Sequence, residues 1–111
     1  IVMSAFRKAR VYVRDDFAGL LAETDDGYSF SYDFDYLQSE NAAPVSLTLP
    51  LQRESFISKT LFSFFDGLIP EGWLFYVVTS NWKIPEKDRF GVLLVACKDP
   101  IGNVSIMEEG V

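Results

Sequence analysis

A chain of 111 residues suits one domain around one core, and its 49% apolar and 23% charged content is that of a folded protein rather than a disordered one. Sixteen acidic residues against ten basic give a formal net charge of -6, which tells against a nucleic-acid footprint, since that needs a basic face to neutralise phosphates. Cys97 is the one cysteine and histidine is absent, so an intrachain disulfide is excluded and the common zinc and thiol-imidazole sites lack their ligands.

The first element expected is a strand over residues 9–14, where Val11 and Val13 alternate with Arg10, Tyr12 and Arg14. Asp15-Asp16 supplies a turn into a second strand, 17–23. Thr24-Asp25-Asp26-Gly27 then gives a hairpin, because aspartate and glycine tolerate positive φ. The third strand, 28–32, puts Tyr28, Phe30 and Tyr32 on one face and Ser29 and Ser31 on the other, completing a meander. Asp33 is a good N-cap for a helical turn over 33–37. The clearest period-two signal follows, with Val45, Leu47 and Leu49 separated by Ser46 and Thr48 between Pro44 and Pro50. It predicts a short strand, suited to a sheet edge by its prolines.

Residues 51–60 read as loop and 61–65 as a short helix or turn that ends at Asp66-Gly67. A helix is expected over 70–82, with Pro70 at its first position and Glu71 favourable against its dipole. At 100° per residue Leu74, Val77 and Val78 share one stripe, with Trp73 and Tyr76 to one side and Phe75 and Trp82 to the other. A small core does not bury all of these, which directs part of the apolar surface to a partner. Residues 85–88 open another helix with an apolar body over 90–96, in which Cys97 continues the apolar run, and 101–107 reads as a closing strand. The fold class expected is α+β, one domain over 1–111: a small antiparallel sheet of about five strands, open or curled, with two helices of the C-terminal half packed on it. Neither a signal peptide nor a membrane span is expected, and a reducing cytoplasm is the expected location.

Four segments taken together carry a resemblance. Pro44-Val45-Ser46-Leu47-Thr48-Leu49-Pro50-Leu51, Phe64-Phe65-Asp66-Gly67-Leu68-Ile69-Pro70-Glu71-Gly72, Asp88-Arg89-Phe90-Gly91-Val92-Leu93-Leu94 and Ile101-Gly102-Asn103-Val104 resemble, in this order, the N-terminal subdomain of HipA-type serine/threonine kinases, the toxins of bacterial toxin-antitoxin systems. The catalytic equipment of such a kinase, a phosphate loop and the metal-binding and base residues, is not in this sequence. A free-standing copy of the subdomain is similar to the HipS component of tripartite HipBST systems. That resemblance implies an antitoxin that restrains a HipT-like kinase, with a HipB-like helix-turn-helix protein in the same complex. The alternatives it leaves open are a non-inhibitory scaffold between those two proteins and the N-terminal fragment of a longer HipA kinase.

The expected partner-binding set is Asp66, Gly67, Leu68, Ile69, Pro70, Glu71, Gly72, Trp73 and Tyr76. Tryptophan is enriched at binding hot spots, and Gly72 beside Trp73 lets another backbone approach. Phe64 and Phe65, paired before a turn, are assigned to the core. Asp15, Asp16, Asp25, Asp26, Asp33 and Asp35 are a second group able to meet a basic patch, although aspartate is also the commonest turn former. No histidine exists to activate a serine, so no enzymatic activity, metal or cofactor is expected.

Overall fold

The computed structural model describes residues 7–69, 76, 79–81, 83–85, 88–96 and 104–108. Its strands are β1 (Lys8–Val13), β2 (Asp16–Thr24), β3 (Gly27–Tyr32), β4 (Phe56–Ser58) and β5 (Val104–Glu108). Its helices are α1 (Phe34–Gln38), α2 (Ser63–Asp66) and α3 (Arg89–Ala96). All the strand pairings are antiparallel and the sheet runs β4-β3-β2-β1-β5. The expected α+β architecture of five strands with helices is the one observed.

Period-two alternation sets the inner face. Ala9, Leu21, Phe30 and Phe56 stand in one cross-strand row, and Ile106, Val11, Gly19 and Tyr32 in another. Phe30 is fully buried, its ring 4.9 Å from that of Tyr32 and 5.5 Å from that of Phe65. Burying such a side chain contributes about 1.5–3 kcal/mol. Phe65 and the fully buried Phe90, Val92 and Leu93 of α3 complete the core.

The first turn falls one residue earlier than expected. Arg14 and Asp15, with φ of 49° and 74°, form the two-residue loop, and Asp16 is already in β2. Two consecutive positive φ values match the right-handed strand twist that a tight hairpin needs. The pairing register then slips between Val11 and Tyr12, leaving Ala18 opposite no residue of β1. Its carbonyl instead accepts the Asp33 N–H at 2.7 Å, and so ties the start of α1 to β2. Asp33 caps α1 as expected, its side chain accepting from the Tyr36 N–H.

Two expectations for the middle of the chain are corrected. Residues 45–49 are not a strand of the sheet but a tight turn bridged between Ser46 and Leu49, with Val45 and Leu49 buried and Leu47 96% exposed. The Ser46 hydroxyl accepts the Thr48 N–H, and the Leu49 N–H reaches the Ser46 carbonyl at 3.1 Å. These local bonds compete with a ladder that the flanking prolines already weaken. The fifth strand is β4, inside the stretch expected to be loop. Its placement depends on Gly27: with φ of 151°, a β-carbon there would strike the Ser58 carbonyl oxygen and lie 2.6 Å from Lys59 Cα.

The end expected for the helix over 70–82 agrees with the described residues. Tyr76 and 79–81 are helical, Lys83 has φ of 54°, and the Ile84 N–H returns to the Thr79 carbonyl at 3.0 Å. A left-handed residue followed by that return bond is a common helix stop. Among the described residues no helix is long and apolar enough to cross a membrane.

Candidate partner-binding surface

Leu61 and Phe62 lead into α2, which is only one turn long, but its backbone bonding continues past Asp66. Gly67 N–H bonds to Ser63, Leu68 N–H to Phe65 and Ile69 N–H to Asp66. Gly67 is right-handed, with φ of -69°, so the chain leaves α2 on further helical turns and not through a left-handed glycine. This brings Asp66 to α3, where Arg89 Nε donates to Asp66 Oδ1 at 2.8 Å. Both side chains are more than a third exposed, and such a pair positions the segment more than it stabilises it.

The expected site residues divide accordingly. Asp66, Gly67 and Leu68 are accessible in varying degree, and Tyr76 is exposed. Ile69 is buried and belongs to the core, so its expected role as a contact residue gives way to that of an anchor beneath the segment. Pro70, Glu71, Gly72 and Trp73 lie outside the described residues. Phe65 is fully buried, and Phe64 packs against the core with its ring 5.2 Å from that of Phe65.

Beside Asp66 opens a groove of about 470 Å³ between α2, α3 and the end of β4. Lys59 and Arg89 line it with the side chains of Tyr28, Thr60 and Ser63. Burial, and then the charge of Glu23, push the Tyr28 hydroxyl up, which leaves it a neutral donor. The surface next to the candidate segment therefore mixes hydrogen-bonding and charged side chains with the apolar Leu61. Among the described residues, no group of three or more histidine, cysteine or acidic side chains is arranged to hold a metal ion.

A clasp absent from the sequence reading fixes α3. Arg7 Nε and Nη2 grip the Glu23 carboxylate at 2.9 and 2.8 Å, while Nη1 and Nη2 reach Asp88 at 3.0 and 2.7 Å. The guanidinium also lies 5.2 Å from the centre of the Phe90 ring. Its bonds to Glu23 and then Asp88 hold Arg7 firmly in its charged form, and its own hydrogen bonds keep both carboxyls below their ordinary range. Asp88 also accepts the Gly91 N–H at 3.1 Å, which caps the start of α3. A β-carbon at Gly91 would fall on the Asp88 carboxylate and 3.1 Å from Arg7 Nη1, so the clasp needs that glycine. The sequence signal for the cap was Asp88 before the apolar run. The partners at separations of 16 and 81 residues had none.

An antiparallel five-stranded sheet with short helices, and a groove lined by Tyr28, Lys59, Ser63, Asp66 and Arg89 beside the candidate segment, define a small α+β domain. A family model described as the HipA N-terminal domain matches residues 9–107. A solved structure titled "N-terminal domain of HipA toxin" superposes with a TM-score of 0.73 at 32% identity, covering 98% of each chain. An uncharacterized protein of Haemophilus influenzae is 39% identical over 103 residues, which is 93% of each protein. The chain belongs to the HipA N-terminal domain family.

Proposed function

We propose that this chain works by protein contact, as an antitoxin of HipS type that binds and restrains a separate HipA-type serine/threonine kinase in the bacterial cytoplasm. The observation that carries the reading is the family match over residues 9–107, which pairs the chain with the N-terminal domain of a toxin and not with a kinase catalytic domain. Restraint by contact requires no cofactor and no chemistry in this chain. A HipB-like helix-turn-helix protein completes the complex and supplies its DNA binding, which a chain of net charge -6 is ill suited to provide.

The contact runs through Asp66, Gly67, Leu68, Pro70, Glu71, Gly72, Trp73 and Tyr76, with Ile69 anchoring the segment from below. Support comes from the exposure of Tyr76 and from the segment's firm root, in which Asp66 is tied to Arg89 and Ile69 is buried. Trp73 fills an apolar pocket near the kinase cleft and hinders lobe closure or substrate entry. Co-expression with the kinase in cells that lack the DNA-binding protein tests the reading. Rescue of growth is expected; failure to rescue unless the DNA-binding protein is restored would favour a scaffold that bridges the two.

A further inference from the structure

The sheet has a second face, and its chemistry differs from that of the rest of the molecule. Opposite the core rows, Met107, Arg10 and Leu20 stand side by side across β5, β1 and β2. One step along, Lys8, Ala22, Ser29 and Ile57 form a row from β1 to β4. Tyr12 and Phe17 close the patch toward the first hairpin, their rings 5.8 Å apart. Ile57 is 71% and Met107 49% exposed. A solvated face of an antiparallel sheet ordinarily carries polar and charged side chains of both signs. In these rows the charged groups are Lys8 and Arg10, both basic, in a chain with sixteen acidic residues.

Arg10 is the informative residue. Its guanidinium carbon lies over the Phe17 ring, 4.5 Å from the ring centre. A guanidinium held against an aromatic ring is already oriented for a carboxylate. A second copy of this chain does not fit the face. A two-fold contact would bring Arg10 and Lys8 of both copies together without compensating acidic groups.

We infer that this outer sheet face is a docking surface for the separate kinase, and that the kinase patch it receives is apolar and carries a carboxylate that meets Arg10. The inference rests on the proposed function and gives the partner's surface its chemistry. The test is calorimetric titration of a HipA-type kinase lacking its own N-terminal domain with the full chain and with Arg10→Glu, Ile57→Asp and Trp73→Ala. Arg10→Glu and Ile57→Asp should each weaken binding at least about tenfold. Far-UV circular dichroism confirms folding, and Ile57, being exposed, serves should Arg10→Glu fail to fold. Unaltered affinity in both face variants, with weakened binding by Trp73→Ala, would overturn this inference alone and leave the proposed function standing. Absence of binding by the unmodified chain would overturn both. A dimer of the free chain that Arg10→Glu alters would also overturn it, by assigning the face to a second copy.

Discussion

Removing the hydroxyl of Tyr32 should loosen the turn that presents Leu47. That hydroxyl is buried, accepts the Val45 N–H at 2.9 Å and donates to the Leu49 carbonyl, so one side chain of β3 holds both ends of the turn. Burial pushes its ionisation up, so it stays neutral and able to both give and accept a bond at ordinary pH. Tyr32→Phe keeps the ring and its stacking on Tyr36 but strands a buried donor and a buried acceptor. Each stranded group costs about 1–3 kcal/mol, and partial relaxation of the turn brings the sum to about 2–4 kcal/mol. Tyr36→Phe is the matched control: its hydroxyl bonds only the N–H and carbonyl of Ala43, in a partly buried setting that water reaches more easily, and about 1 kcal/mol is expected. Equilibrium urea unfolding reads both, with the slope required to stay constant so that the midpoint reports stability. A Tyr32→Phe loss no larger than that of Tyr36→Phe would refute the idea that Tyr32 clamps the turn.

The turn makes a second prediction by contrast. Leu49→Ala should cost about 2–4 kcal/mol, whereas Leu47→Ala should stay within about 0.5 kcal/mol, since Leu49 is buried and Leu47 is not; thermal unfolding distinguishes them. Gly27→Ala should lower stability by at least about 2 kcal/mol, a fall in melting temperature of roughly 10 °C, because positive φ and the collision with β4 act together. The Arg7 clasp predicts an acid limb. Glu23 and Asp88 ionise at lower pH in the folded chain than in the unfolded one, so their contribution is complete above the ordinary carboxylate range near about pH 4 and is lost as pH falls below it. Arg7→Met should flatten that limb in a pH series of unfolding midpoints; an unchanged limb would show that other carboxylates set it.

Local sequence signals located the meander, the cap at Asp33 and the inward Tyr28, Phe30 and Tyr32, because alternation and capping act over a few residues. The expectation of five strands was met by a different fifth strand. Val45 to Leu49 has the alternation of a strand, yet its hydroxyls and prolines favour a turn. Phe56–Ser58 is too short to announce itself and becomes a strand by pairing with β3 beside Gly27. At the candidate site the local features, a buried Phe65 and an exposed Tyr76, were legible. The links Asp66 to Arg89 and Arg7 to Glu23 and Asp88 were not, since nothing in a linear charge pattern says which residues the sheet will bring together.

On the proposed function, the chain restrains a kinase by touching it. Phosphoryl transfer by a HipA-type kinase lacking its own N-terminal domain, measured while this chain is titrated in, tests it most directly. The expected result is loss of activity that saturates near equimolar chain and is relieved, with affinity reduced about thirtyfold, by Trp73→Ala. Full kinase activity in the presence of excess chain would contradict it.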